Sequence, residues 1–464
     1  MIVPGSKLLF WVAAVVLPFS LLAGVEPSAA MLSLAAIGAL AAIAILDLIR
    51  APGGLAGIGV SLPEISRMSR GRRGKLELRI QNKQGKQMNL RLALAMPREI
   101  ESLQEDLRVT LPAESEWSRV AWTCLPRKRG NYRLNAAYVE GDSPLGFWAA
   151  RKKLPANSQI RVYPNLLTDR KNLAGLFLNR GAFGLHAQRQ VGKGREFEKL
   201  REYVPGDAYD EIHWKATAKR GRPITKVFQI ERTQEVYVVI DSSRLTARAP
   251  EDREPNAGSR GPAGGARLPT LDPRLATTTL ERFITAALVL GLAAEQQGDL
   301  FGLLAFSDKV ESFVRARNGK AHYGACRDAL YTLQPKLVTP DYDEVCTFIR
   351  LRMQRRTLLI FLTALDDAVL AESFVRNMDL IRRQHFVVVN MLQPPGVAPV
   401  FTNPNLTTMD ELYQHLGGHL LWHNLRELEK VLQRRGVRFS LLKDERFSAE
   451  LVSQYLNIKK RQLI

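Results

Sequence analysis

Two long uncharged apolar stretches near the start constrain this chain more than any other feature. They are residues 8–25, LLFWVAAVVLPFSLLAGV, and residues 31–46, MLSLAAIGALAAIAIL. Each is close to the ~20 residues that a helix needs to cross the hydrocarbon core of a bilayer. In lipid a helix satisfies its own backbone hydrogen bonds, and only residues 26–30 separate the stretches. The sequence therefore predicts two transmembrane helices, arranged as a hairpin, over residues 1–50.

A cleaved signal peptide is the competing interpretation of the first stretch, with a small-residue cleavage site at residues 28–30. The second apolar stretch follows at once and favours two retained helices. The connector carries no Lys or Arg, whereas basic residues follow the second stretch: Arg50, Arg67, Arg70, Arg72, Arg73 and Lys75. By the positive-inside rule we predict a multi-pass protein of the cell inner (cytoplasmic) membrane with its soluble domains in the cytoplasm.

The net charge is the next constraint, because the 464 residues carry a formal charge of +20. Such an excess suits nucleic acid, an anionic membrane surface or an acidic protein. The basic residues are spread along the whole chain without a recognised nucleic-acid motif, so we expect no nucleic-acid partner. Basic residues after the second stretch predict contact with an anionic lipid bilayer. Cys124, Cys326 and Cys346 lie far apart, which fits a reducing compartment and buried positions.

The rest of the chain divides into three parts by its hydrophobic pattern. Residues 51–165 contain short alternating runs separated by turn residues, which predicts a β-rich, sandwich-like domain. Residues 166–232 form a linker block. Residues 233–464 alternate strands with helices and predict an α/β domain with a parallel, Rossmann-like sheet. A stretch rich in Gly, Pro, Ala and Arg, residues 247–268, predicts a flexible insertion. The predicted strands are 235–240, 300–306, 357–362, 386–391 and 437–442.

Polar residues follow two of these strands. Asp241 comes directly after the first strand and Asp366 after the third. The carboxyl ends of parallel strands meet at one edge of a sheet, and Thr339 and Asp341 lie in a loop expected at the same edge. Oxygen ligands of this kind suit a hard cation such as Mg²⁺. The alternative is that Asp241 accepts hydrogen bonds from backbone amides of its own loop.

Residues 192–215, GKGREFEKLREYVPGDAYDEIHWK, form what we call the central block. Phe197, Leu200, Tyr203 and Val204 have the spacing of one helical face, and we expect Ile212 and Trp214 to be buried. The plain interpretation is a docking segment that leads into the next domain. Its candidate interaction residues are Glu196, Phe197, Leu200, Arg201, Tyr203, Pro205, Gly206, Asp207, Trp214 and Lys215.

The central block also carries a resemblance to a known family. The pattern Gly194-x-Glu196-Phe197, Leu200-Arg201-Glu202-Tyr203-x-Pro205-Gly206-Asp207 and Ile212-x-Trp214-Lys215-Ala216, followed by a strand ending in Asp241-x-Ser243, resembles the domain-of-unknown-function 58 (DUF58) family. The resemblance covers nearly the whole chain. It implies a von Willebrand factor A-like domain after the block. It also implies association with a MoxR-type AAA+ ATPase, and an adaptor role rather than catalysis.

The same resemblance implies a degenerate metal ion-dependent adhesion site (MIDAS). The usual loop, Asp-x-Ser-x-Ser, is matched by Asp241 and Ser243, but Leu245 replaces its last serine. The expected metal ligands are Asp241, Ser243, Thr339 and Asp366, with Mg²⁺ as the possible cofactor. A lost hydroxyl and the nearby charge of Arg244 both weaken binding of a cation.

An enzyme is the alternative class of function. His415, His419 and His423 have the spacing of one helical face and could bind Zn²⁺. However, Gly417-Gly418 interrupts them, and the H-E-x-x-H arrangement is absent from the sequence. No Gly-x-Ser-x-Gly elbow or phosphate-binding loop is present either. We therefore predict a protein that is not an enzyme.

Overall fold

The structure is a computed structural model of the chain. It describes residues 1–25, 27–50, 55–113, 115–167, 191–205, 207–229, 234–248, 278–399 and 409–461. The chain forms two compact units, Met1–Asn165 and Leu166–Ile464. The predicted domain boundaries at residues 50 and 232 are not tested by this division. Most of the predicted insertion at residues 247–268 lies outside the described residues.

The first unit begins with a short strand and two apolar helices. Strand β1 is Ile2–Pro4, helix α1 spans Ser6–Val25 and helix α2 spans Ala30–Arg50. Both helices are long and apolar enough to cross a membrane, by the measure of length and composition. Apolar side chains cover their surfaces, which is typical of helices that lie in lipid. The two predicted apolar helices are confirmed.

Two β-sheets make up the rest of the first unit. Their strands are β2 (Ile58–Ser61), β3 (Ile65–Ser69), β4 (Gly74–Asn82), β5 (Met88–Leu94), β6 (Ile100–Ser102), β7 (Leu107–Leu111), β8 (Trp117–Pro126), β9 (Gly130–Asp142) and β10 (Trp148–Tyr163). One sheet has the order β1-β10-β9-β5-β7, with β3 beside β10, and the other has the order β2-β4-β8-β6. Alternate residues of both sheets, such as Leu78 and Leu92, share one buried core.

The second unit opens with a pair of antiparallel strands, β11 (Val191–Glu202) and β12 (Ile224–Gln229). A short helix, α3 (Trp214–Arg220), lies between them in the chain. The prediction of a helical face at Phe197, Leu200 and Tyr203 is therefore wrong. Pairing with β12 decides the conformation, because it supplies hydrogen bonds to an extended backbone.

In the described residues between 234 and 461, a six-stranded sheet and six helices form the α/β part of the second unit. The strands are β13 (Glu235–Asp241), β14 (Leu300–Phe306), β15 (Val310–Arg317), β16 (Leu358–Leu362), β17 (Phe386–Leu392) and β18 (Arg438–Leu442), in the order β15-β14-β13-β16-β17-β18. The pairings β13–β14, β13–β16, β16–β17 and β17–β18 are parallel. The edge strand β15 is antiparallel to β14.

The helices cover both faces of this sheet. They are α4 (Thr279–Gln296), α5 (Lys320–Leu330), α6 (Tyr342–Arg352), α7 (Ala368–Ile381), α8 (Met409–Arg434) and α9 (Phe447–Lys460). Val238 and Ile240 pack in one core with α4 and α9, whereas Val239 packs in the other with α6 and α7. This alternation places Asp241, the last residue of β13, at the α6–α7 side of the sheet edge.

Candidate functional site

Asp241 is the centre of a polar group at the carboxyl ends of β13 and β16. The side chain is 0% exposed. Its Oδ1 accepts the backbone N–H of Ser243 at 2.8 Å, and its Oδ2 accepts the hydroxyl of Thr363 at 2.7 Å. Burial raises the pKa of the Asp241 carboxyl, although both hydrogen bonds oppose the shift. We call Asp241, Ser243, Thr363 and Asp366 the strand-end cluster.

The hydroxyl groups of Ser243 and Thr363 form hydrogen bonds within the protein. The hydroxyl oxygen of Ser243 accepts the backbone N–H of Leu245 at 3.3 Å and caps a short 3₁₀ turn. The hydroxyl of Thr363 also lies 3.3 Å from the hydroxyl of Tyr342, whose pKa is raised chiefly by burial. The hydrogen bond from Ser243 N–H to Asp241 agrees with the alternative given for this residue from the sequence, in which it accepts hydrogen bonds from backbone amides of its own loop.

Two arginines supply positive charge at the same edge. Arg248 forms an ion pair with Asp366, and Arg244 lies 4.0 Å from Asp367. These guanidinium groups therefore neutralise carboxylates that a metal ion would otherwise neutralise. The structure brings Asp241, Ser243 and Thr363 together, whereas the predicted ligand Thr339 is exposed to solvent. Thr363 is the hydroxyl that sequence reasoning missed.

The strand-end cluster does not match the usual ligand set of a metal site. In the described part of the chain, no three His, Cys, Asp or Glu side chains converge as a metal-binding group. Both carboxylate oxygens of Asp241 have protein donors, and Oδ2 of Asp366 pairs with Arg248. The buried Oδ1 of Asp366 has no hydrogen-bond partner. The protein itself therefore satisfies most, but not all, of the oxygens in this cluster. The Mg²⁺ site stays a prediction.

The central block is held in one conformation by hydrogen bonds. Asp207 accepts the backbone N–H of Val204 at 3.1 Å and forms an ion pair with Arg201 at 2.7 Å. The bond from Val204, together with the charge of Arg201, lowers the pKa of the Asp207 carboxyl. Backbone hydrogen bonds connect the block to the start of β12 and the residue before it, from Tyr203 N to Pro223 O at 3.0 Å and from His213 N to Ile224 O at 2.7 Å.

A second set of contacts fixes helix α3, where the block ends. The ring Nδ1 of His213 accepts the backbone N–H of Ala216 at 3.0 Å, so this histidine caps the helix. The hydroxyl of Thr217 accepts the N–H of Ile224 at 3.0 Å. Gly221 ends the helix with φ of 66°, a left-handed conformation that glycine adopts at little cost. His213 therefore has a structural role.

Large side chains project from this fixed block into solvent. Trp214 is 68% exposed and Tyr209 is 76% exposed, and the rings of Tyr203 and Tyr209 lie 6.1 Å apart. Ile212 is buried as expected, but the prediction that Trp214 is buried is wrong. Pro205 and Lys215 are exposed, and Leu200 is half-buried. Gly206 lies outside the described residues, and for Glu196 and Phe197 the structure describes the strand register only.

The three histidines of the enzyme alternative lie on helix α8. The ring of His419 stacks on Trp422, with centroids 5.7 Å apart. Gly418 packs against the turn at Gly396, where a Cβ would overlap the carbonyl oxygen of Gly396. These contacts give His419 and Gly418 a role in packing. The three cysteines are free thiols and buried, and burial raises the pKa of Cys346 to about 12.

With the geometry of both regions described, the chain can be compared with known proteins. Residues 199–252 and 275–397 match the family described as a protein of unknown function, DUF58. This part of the chain is similar to the DUF58 family. The match includes residues 199–215 of the central block, Asp241, Thr363 and Asp366. No curated protein matches the chain in sequence.

Several solved structures share distant similarity with the chain. An aerotolerance-related membrane protein from Bacteroides fragilis NCTC 9343, with multiple mutations to serines, is 11% identical over 48% of this chain and 98% of that one, with a TM-score of 0.28. BatB from Bacteroides thetaiotaomicron is 14% identical over 49% and 99%, with a TM-score of 0.28. A membrane-spanning protein from Vibrio fischeri is 13% identical over 49% and 98%, with a TM-score of 0.17.

Proposed function

We propose that this DUF58 protein is a membrane-anchored adaptor that binds a partner protein through its central block. In this proposal it has no catalytic activity, and its α/β part is a von Willebrand factor A-like domain. The parallel pairings around β13 and the helices on both faces of the sheet support that fold assignment. Asp241 at the carboxyl end of β13 corresponds to the first residue of a degenerate MIDAS-like loop.

The exposed side chains of Trp214 and Tyr209 carry this proposal. A large aromatic side chain in water forgoes the free energy that burial would give it, about 25 cal/mol per Å² of apolar surface. Here these side chains project from a backbone that Asp207 and His213 hold in place. A partner would therefore bury them with little further loss of conformational entropy. Tryptophan and tyrosine are frequent among the residues that dominate binding at protein interfaces.

A MoxR-type AAA+ ATPase is the partner that we propose. Support comes from the match to the DUF58 family, because the resemblance described above implies association with such an ATPase. In this proposal the pair acts in assembly or maturation of protein complexes. The basic excess of the chain, +20, favours a partner with an acidic surface.

The proposed location is the inner membrane, with the soluble parts in the cytoplasm. The distribution of Lys and Arg around the two apolar stretches supports this orientation. Strand β1 pairs with β10, from Ile2 beside Ala150 to Pro4 beside Trp148, so the start of α1 lies on the same side as the sandwich. Cleavage after residue 30 would remove β1 from its sheet, which favours retained helices over a signal peptide.

The direct test is capture of a purified MoxR-type ATPase from the same organism by the full chain in nanodiscs. Trp214→Ala should reduce capture strongly, because it removes an exposed anchor without touching the core. Trp117→Ala is the matched control, since Trp117 is 52% exposed on β8 in the other unit. Equal capture by both variants and the wild type would exclude the central block as the binding surface.

A further inference from the structure

A buried aspartate connects helix α2 to the β-sandwich. Asp47 is 2% exposed. Its carboxylate accepts the hydroxyl of Ser143, the backbone N–H of Leu145 at 3.1 Å and the backbone N–H of Phe147 at 3.2 Å. All three donors belong to the turn between β9 and β10. We call Asp47 and residues 143–148 the joint.

Further contacts at the joint involve both helices. The indole N–H of Trp148 donates to the carbonyl oxygen of Ala44 in α2 at 2.8 Å. The backbone N–H of Gly5, just before α1, donates to the carbonyl oxygen of Phe147 at 2.7 Å. Leu8 of α1, Ala44 and Phe147 form a small buried apolar cluster. The joint thus holds the first turn of α1 and the last turns of α2 against the same turn of the sandwich.

The position of Asp47 in the sequence fixes the depth of the joint. Residues 31–46 carry no charge, and Asp47 is the first ionisable side chain after them. It lies three residues, or about 4.5 Å of helix, before Arg50 at the end of α2. A carboxylate at the edge of the hydrocarbon region is costly unless donors surround it. Because the donors come from residues 143–147, this turn must reach the same depth as Asp47.

We propose that the joint is a lipid-contact surface that seats the sandwich on an anionic bilayer, with Leu145 in the headgroup layer. Leu145 lies at the tip of the turn and is 51% exposed although it is apolar. Lys7 lies over the turn, since a Cβ on Gly146 would be 3.1 Å from Lys7 Nζ. Gly146 also has φ of 76°, so the tight turn requires glycine. Lys7 and Arg50 place positive charge where anionic headgroups lie.

The other basic residues after α2 do not lie at the joint. The register of β3 with β10 pairs Arg67 with Arg161 and Ser69 with Tyr163. Arg70 then donates its backbone N–H to Tyr163 O at 2.9 Å. Tyr163 is the last residue of β10, whereas Trp148 at the joint is its first. The lipid contact of this chain is therefore assigned to Lys7, Arg50 and Leu145 rather than to the arginines near residue 70.

The test places a polarity-sensitive fluorophore on the full chain in nanodiscs that contain phosphatidylglycerol. The label is attached at Leu145→Cys, and the three native cysteines are buried. The control is Leu103→Cys, which is 43% exposed and follows β6, with its backbone N–H donating to Thr123 O of β8. Lipids carrying a quencher at the headgroup should quench residue 145 several-fold more strongly than residue 103. Equal quenching would overturn the proposal.

A second variant tests the part played by Asp47. Asp47→Ala, added to Leu145→Cys, should reduce the quenching at residue 145 toward the value at residue 103, because the turn loses its acceptor. Unchanged quenching would show that Asp47 does not set the depth of the turn. If the double variant fails to fold, the comparison between the single variants Leu145→Cys and Leu103→Cys still tests the lipid contact. Neither readout depends on the partner ATPase.

Discussion

Asp47 and Asp241 are both buried aspartates at or near the end of a secondary-structure element, but they connect different parts of the structure. Asp241 joins its own loop to the neighbouring strand β16, and a parallel ladder of backbone hydrogen bonds also joins these strands. Asp47 joins a helix to a turn about a hundred residues away, and few other polar contacts link the two. We therefore expect substitution of Asp47 to lower the stability of the fold more than substitution of Asp241.

The largest expected effect on stability is therefore that of Asp47→Ala. It leaves the Ser143 hydroxyl and two backbone N–H groups without their acceptor, and each such loss costs about 1–3 kcal/mol. The first unit should melt at a clearly lower temperature in nanodiscs, whereas the second unit keeps its transition. Asp142→Ala, an exposed position one residue before Ser143, is the control. A smaller loss of stability in Asp47→Ala than in Asp241→Ala would contradict this expectation.

Substitution of Asp241 should have an intermediate effect. Asp241→Ala removes the acceptor for Ser243 N–H and Thr363 Oγ, at a cost of roughly 2 kcal/mol. Asp241→Asn should cost less, because its carbonyl oxygen still accepts Ser243 N–H and its amide can donate to Thr363. Thermal unfolding of the full chain measures both. Equal losses of stability in Asp241→Ala and Asp241→Asn would show that the shape and hydrogen bonds of this side chain do not contribute to stability.

Ionisation of the Asp241 carboxyl makes the stability of the fold depend on pH. Burial raises the folded-state pKa above the value in the unfolded chain. Ionised Asp241 is thus disfavoured in the fold, and stability falls as the pH rises from the ordinary Asp value toward the raised one. Asp241→Asn should remove this part of the pH dependence. A pH profile of the melting temperature that is identical in both proteins would contradict the assignment.

Arg248 should decide whether the strand-end cluster responds to Mg²⁺. In the wild type its guanidinium neutralises Asp366, so millimolar Mg²⁺ should shift the melting temperature little. Arg248→Ala leaves that carboxylate without its cation, and the shift should then increase. Arg376→Ala, which removes an exposed pair with Glu372 on α7, is the control. A large shift in the wild type would instead support the Mg²⁺ site predicted from sequence.

The smallest expected effect is at Asp207, on the surface of the central block. Its pKa is lowered, so its stabilising contribution is present above the ordinary Asp value and is lost as the pH falls through the lowered value. Asp207→Ala should speed hydrogen exchange at Val204 and leave the global melting temperature nearly unchanged. Asp210→Ala, an exposed neighbour, controls for charge. Slow exchange in the variant would show that other contacts fix the block.

Continuous apolar runs made much of the α/β part predictable. The strands β13, β14, β16, β17 and β18 lie within one residue of the predicted bounds, because strands buried on both faces show such runs. The edge strand β15, VESFVRAR, was not predicted, since it mixes charged and apolar residues. Helix α9 was also missed, although Tyr455 and Leu451 belong to the core.

The errors at the candidate site have a common physical cause. Strand β11 has helical spacing of apolar residues, but pairing with β12 outweighs that local pattern. Trp214 is apolar and yet exposed, which no local pattern shows. Thr363 contacts Asp241 across 122 positions, and the donors to Asp47 lie 96 to 100 positions away. Contacts at such separations follow from the assembled fold and not from spacing along the chain.

In the proposed function, the central block presents Trp214 and Tyr209 to a partner protein. Hydrogen exchange of the full chain in nanodiscs, with and without a purified MoxR-type ATPase from the same organism, tests this role most directly. We expect slower exchange in residues 203–215 on addition of the ATPase and no change around Trp117. Protection confined to other regions, or no protection while the ATPase is bound, would contradict it.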